Sequence, residues 1–199
     1  MSYYPKKKQS DFVPAPEGLH FCVCCDVVDL GLVKTSWQGQ EAIKDMVRLV
    51  WQTEETMSSG AKAGAPFLIN KRYTSSTHPK ATLRIHIESW AGKKFTDEQF
   101  AAFDIERLIG ACCQIQIAHN ISGGETYANI MAIVPAPKGK PKLAVRGYTR
   151  VKDRPGYIPP KAQPTSDAPP HDESPFPDDV RPTAEETVYE EVNDDDIPF

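Results

Sequence analysis

The chain changes character at Pro155, and that change decides how much of it can fold. Residues 155–199 hold 2 Lys/Arg against 12 Asp/Glu and carry 10 of the 18 prolines, beginning with Pro155, Pro159 and Pro160. A segment with so much like charge and so few apolar side chains cannot bury enough surface to offset the entropy of ordering it. It is expected to be a disordered acidic tail. Residues 1–154 hold 21 Lys/Arg against 15 Asp/Glu, so the overall net charge of −4 hides a body of +6 joined to a tail of −10. The body keeps nearly all the aliphatic residues, enough for one core of about 120–130 residues. The expected division is a flexible basic N-terminus (1–11), one folded domain (12–137), a basic extension (138–154) and the tail (155–199).

Composition also narrows the class. No apolar run approaches the roughly 18 residues needed to span a membrane. Lys6-Lys7-Lys8 are followed by no apolar stretch, which argues against a secretory signal. Five cysteines, Cys22, Cys24, Cys25, Cys112 and Cys113, lie inside apolar strand-like runs. Adjacent pairs of this kind suit a reduced, cytoplasmic interior better than a disulfide framework.

Within the body the hydrophobic period is mostly two. Residues 18–33 read as a first strand. Residues 44–53 put Val47, Leu49 and Trp51 on one face and Arg48 and Gln52 on the other, a half-buried second strand. A Gly/Ala/Ser linker at 56–65 leads to a third strand over Phe67–Ser75. The period then lengthens: Leu83, Ile87 and Trp90 recur at helical spacing, with Ser76 or Thr77 as a cap, Pro79 in the first turn and Gly92 as the stop. Thr96 and Gln99 form a capping box for a second short helix carrying Phe100 and Phe103. Ala111–His119 and Glu125–Val134 are two more strands joined by a hairpin at Ser122-Gly123-Gly124. The expectation is a mainly β, five-stranded OB-fold barrel with a helical insertion between strands 3 and 4. Such a barrel binds oligonucleotides on one face.

A single-strand binder needs cations to track phosphates and flat side chains on which unpaired bases stack. Lys34, Trp37 and Lys44, placed in the loop between strands one and two, supply both. Trp37, flanked by Ser36, Gln38 and Gly39, is the first candidate for a stacking platform. Arg48 lies opposite the core face of its strand. Lys71, Arg72 and Tyr73 combine two cations with a ring and lead on to Lys80. Tyr127 is a further candidate, although its phase with Met131 and Ile133 favours the core. Trp51 and Trp90 sit on apolar stripes and are core; Arg84, Lys93 and Lys94 read as solvated helix charges. The basic run from Lys138 to Arg154, with Tyr148 inside it, offers further phosphate contacts or a partner for the acidic tail.

Enzymatic readings find little support. His20, Cys22, Cys24 and Cys25 lack the paired spacing of a structural zinc site, and a strand sends alternate cysteines to opposite faces. No phosphate-binding loop, deaminase pattern or nucleophile elbow occurs. Asp26, Asp29 and Glu88 are the carboxylates a magnesium-dependent nuclease would need, but nothing in their spacing requires it. No catalytic residue, metal or cofactor is expected.

The chain ends on Asp194-Asp195-Asp196-Ile197-Pro198-Phe199. Ile197 and Phe199 can enter a small apolar pocket on another protein, while the acid run and α-carboxylate meet basic residues at its rim. This ending resembles the C-terminal tip of bacterial single-stranded DNA-binding proteins, which recruits replication and repair enzymes. In the body, Lys44–Gln52, Pro66–Ser75, Leu83–Phe103 (with IESWAGKKFTDEQ at its centre) and Tyr127-Ala128-Asn129-Ile130 resemble a family of phage-encoded single-stranded DNA-binding proteins. The similarity covers roughly residues 12–137. It implies an OB-fold that coats single strands during replication or recombination in a bacterial cytoplasm, but it identifies no contact residues. The body does not look like the bacterial housekeeping version, so that group's tetramer is not implied and the oligomeric state stays open. RNA binding, a protein–protein adaptor and a nuclease remain as alternatives.

Overall fold

The computed structural model describes residues 13–37, 40–60, 62–123 and 125–160, with the side chains of Ser36, Trp37 and Glu125 outside that description. The basic terminus at 1–11, the tail beyond Pro160 and its tip at 194–199 lie outside the described residues.

Five strands follow one another with a helical segment after the third: β1 (Gly18–Trp37), β2 (Gln40–Thr56), β3 (Pro66–Thr74), α1 (Thr82–Ala91), α2 (Asp97–Ala101), a 3₁₀ turn at Ile105–Leu108, then β4 (Cys112–Ser122) and β5 (Glu125–Pro135). A last 3₁₀ turn spans Val151–Asp153. The order is the expected one, but two strands are longer. β1 and β2 continue as a paired arm to the Trp37–Gln40 rung, through residues the sequence places in a loop. Cross-strand pairing alone specifies that arm, because its side chains are mostly polar.

All neighbouring strands pair antiparallel in the order β3-β2-β1-β4-β5. The first four of these form a Greek key, since β4 returns to lie beside β1. The expected closed barrel is not formed: the sheet is open, with β3 and β5 as its edges. Across the seam Lys71 Nζ donates to the carbonyl of Ile130 at 3.0 Å. A side-chain ammonium thus takes a β5 carbonyl that a strand N–H would otherwise pair. α1 packs mainly on β5 and also touches β3, covering the interior between the two edges.

One core cluster draws on every strand and on α1. It contains Cys22, Cys24, Leu49, Trp51, Ile69, Ile115, Ile117, Ile130 and Ile133, with Leu83, Ile87 and Trp90 from the helix. Trp51 and Trp90 meet at 6.2 Å, and Trp90 Nε1 donates to the carbonyl of Cys112. All five cysteines are free thiols, and burial pushes Cys22, Cys24 and Cys25 up to about 12. They act as small apolar side chains.

Two local expectations change. α1 begins at Thr82 after Ala81, with no side-chain cap; Ser76 Oγ instead accepts from the backbone N–H of His78 in a preceding turn. Gly92 closes the helix in the left-handed region at φ 66°, as its position suggests. Arg84 is not solvated. It is 4 % exposed and donates to Glu88, Asp97 and the carbonyls of Thr77 and Phe95. The Thr96–Gln99 capping box forms as read.

Residues 140–154 do not leave the body. They cross the outer face of β1 and β2 as a strap, over a second cluster of Cys25, Val28 and Val50 against which Tyr148 and Val151 pack. Register shifts at Cys24/Asp26 turn the Asp26 side chain to this face. There its carboxylate accepts from Tyr148 Oη, the Val151 N–H and Arg150 Nε. Gln52 exchanges two hydrogen bonds with the Arg146 backbone, at 2.7 and 2.8 Å.

Candidate nucleic-acid interface

Strand alternation sorts the sequence candidates onto two faces. Val47, Leu49 and Trp51 point into the core, so Lys44, Arg48, Val50 and Gln52 of β2 share the outer face. On β3, Ile69 and Tyr73 are core, and Leu68, Asn70 and Arg72 face out. The ladder sets Arg48 directly opposite Arg72, with Val50–Asn70 and Gln52–Leu68 as the next rungs.

The Arg48–Arg72 rung is electrostatically unusual. Like charges directly opposite one another in a sheet destabilise it. Ion pairs among the described residues go to Arg84, Lys94, Lys140, Arg150, Lys152 and His20, and none goes to Arg48 or Arg72. Arg48 Nε is also buried with no hydrogen-bond partner. A buried donor left unmade costs about 1–3 kcal/mol. An oxyanion across the rung would screen the two guanidiniums from each other, and guanidinium forks fit phosphate oxygens.

The remaining candidates separate from this pair. Lys44, opposite Val33, lies on the Arg48 face further along β2. Lys34 pairs with Ile43 on the arm and is exposed. Trp37 ends β1 opposite Gln40, and its side chain lies outside the described residues. Lys71 is on the core side, where burial lowers its pKa and its ammonium holds Ile130. Tyr73 is 3 % exposed and hydrogen-bonded to His86 Nδ1 at 2.9 Å. A ring so enclosed offers no face to a base, which corrects its reading as a stacking platform. Lys80 is exposed in the turn before α1, off the sheet.

Tyr127 is 47 % exposed, not core. A register shift between Gln116 and Ile117 leaves Met131 as an extra residue on β5, so Ala128, Ile130 and Ile133 face the core. Strict alternation cannot survive that shift. Asn70 and Leu68, which fill the outer face beside the arginines, carry no charge or ring and gave no sequence signal.

Most of the strap's cations make contacts within the fold, although the Arg146 side chain meets only a backbone carbonyl and no carboxylate among the described residues. Lys140 and Arg146 engage Glu54, while Arg150 and Lys152 engage Glu106. The carboxylates considered for magnesium are likewise apart. Asp26 is held by the strap, and Glu88 accepts from Arg84, Lys94 and the Phe95 N–H. Among the described residues no group of three or more His, Cys, Asp or Glu could hold a metal ion, and no helix is long and apolar enough to cross a membrane. A cleft of about 570 Å³ near the base of the arm is lined by Asp29, Asp45, Asp104 and Glu106, which repel phosphate.

No family model and no curated protein sequence matches this chain. The functional reading therefore rests on the residues and their arrangement.

Proposed function

We propose that this protein binds single-stranded DNA along the exposed outer face of β3 and the neighbouring end of β2 at Arg48, beside the strap, with little sequence preference, and recruits partner proteins through its acidic C-terminal tip. The observation that carries this reading is the Arg48–Arg72 rung, two like charges directly opposite one another with no ion-pair partner among the described residues. Two further features support it. The Greek-key sheet with a covering helix is consistent with the partly open barrel of the OB class, in which the face of strands 2 and 3 holds oligonucleotides. The body is cationic while the tail is anionic, so the tail can compete weakly for the same face and be displaced when a strand arrives. Coating of unpaired strands during replication or recombination, as in the phage-encoded family the sequence resembles, is the role this would serve.

The test is a gel-shift titration of single- against double-stranded oligonucleotides, with and without Mg²⁺, over a range of salt. Preferential, salt-sensitive retention of single strands is expected, since neutralised phosphates release counterions. Indifference to both would favour the adaptor reading, and magnesium-dependent loss of the strand would favour a nuclease. A ribo-oligonucleotide arm distinguishes DNA from RNA.

A further inference from the structure

The Gln52–Leu68 rung lies four residues along β2 from Arg48, about 13 Å at strand spacing. There the outer face ends in a cleft of about 510 Å³. Val13, Met57, Phe67, Leu68 and Tyr148 give it apolar walls, and Lys62 and Arg146 add cations to its lining. The volume is in the range of small-molecule sites. One wall belongs to the strap and is set in advance, because Gln52 clamps the Arg146 backbone from both sides of its amide. Leu68, on the opposite wall, is 44 % exposed although it is a large aliphatic residue.

We propose that this cleft receives one unpaired nucleobase from a strand whose phosphates lie on the Arg48–Arg72 rung. The inference rests on the single-strand reading above and extends it, because it gives the protein a fixed point of registration on the strand. An apolar slot with cations beside it suits a flat, neutral heterocycle attached to a phosphodiester. Asn70, exposed on the outer face of β3, lies between Leu68 of the cleft and Arg72 of the rung. The chain's own Ile197-Pro198-Phe199 is the rival occupant. Its acid run could meet the same Lys62 and Arg146, so the experiment below includes a chain without it.

The experiment compares oligo-dT with an abasic deoxyribose-phosphate oligomer of equal length, using the full chain and its Leu68→Ala variant. Leu68 is exposed enough that its truncation should leave the fold intact, which a thermal melt verifies. Stacking contributions predict that the wild-type chain binds oligo-dT about 5- to 100-fold more tightly than the abasic strand. Leu68→Ala should weaken oligo-dT binding about 3- to 10-fold and leave abasic binding and the salt slope unchanged. Equal loss on both strands, or none on oligo-dT, overturns the base pocket while the single-strand reading stands. Retention of neither strand overturns both. A chain lacking residues 194–199 that gains affinity for oligo-dT, with the gain erased by Leu68→Ala, would assign the cleft to the tip and overturn the proposal.

Discussion

Arg48 and Arg72 face each other without an acid between them, so each should cost stability and contribute affinity. Arg72→Ala is expected to leave the melting temperature unchanged or slightly higher, since the cross-strand repulsion disappears. The same variant should bind single strands more weakly, and its salt slope should fall by about 0.7, the value of one single-strand phosphate contact. Thermal melts and salt titrations of one preparation measure both. Glu88 is the opposite case. Burial works to raise its pKa, but hydrogen bonds from Lys94 and Arg84 prevail and lower it from 4.5 to about 2. Burial, helped by Lys71, lowers His86 from 6.5 to about 4. In both cases the unfolded chain takes the proton first. Stability is therefore full above the unfolded value and is lost as pH falls through the folded one. Acid titration followed by circular dichroism should show loss between about 6.5 and 4, then between about 4.5 and 2. Glu88→Gln should flatten only the second stage and cost about 1–3 kcal/mol at neutral pH. The Arg84 contacts were not legible in sequence beyond its own helix, because Thr77, Phe95 and Asp97 reach it from other segments.

At the scale of elements, the strap depends on one carboxylate. Asp26 accepts three hydrogen bonds from it, including the Val151 N–H at 2.7 Å. Asp26→Asn keeps the volume but removes the charge Arg150 faces, and its amide nitrogen donates where a carboxylate oxygen accepted. The expected result is faster tryptic cleavage at Arg146, Arg150 and Lys152, with the fold destabilised by about 1–3 kcal/mol. Cleavage rates equal to wild type would show that the strap is held by its apolar contacts alone. Period and turn chemistry made the order of elements, the Thr96–Gln99 box and the Gly92 stop legible, since all are local. The strap was not, because Lys138–Arg154 has no period and its docking partners lie 31 to 125 residues away in sequence. Tyr127 was misplaced for a related reason: a single extra residue at Met131 inverts the faces of β5, and sequence alternation carries no mark of it.

For the whole molecule, charge segregation between body and tail leads to a prediction that needs no fine geometry. Removing residues 161–199 should tighten single-strand binding at low salt and change little at high salt, where tail and strand are both screened. Equal affinity at every salt concentration would count against competition. The open seam between β3 and β5 has a separate consequence. Exposed sheet edges are templates for growth by added strands, and an inserted lysine is one of the charges that discourage it. Lys71, capping the Ile130 carbonyl, is expected to hinder that edge from acting as a nucleus for stacking chain on chain. A Lys71→Met protein, measured by light scattering at high concentration, should form larger particles than the native chain does under the same conditions.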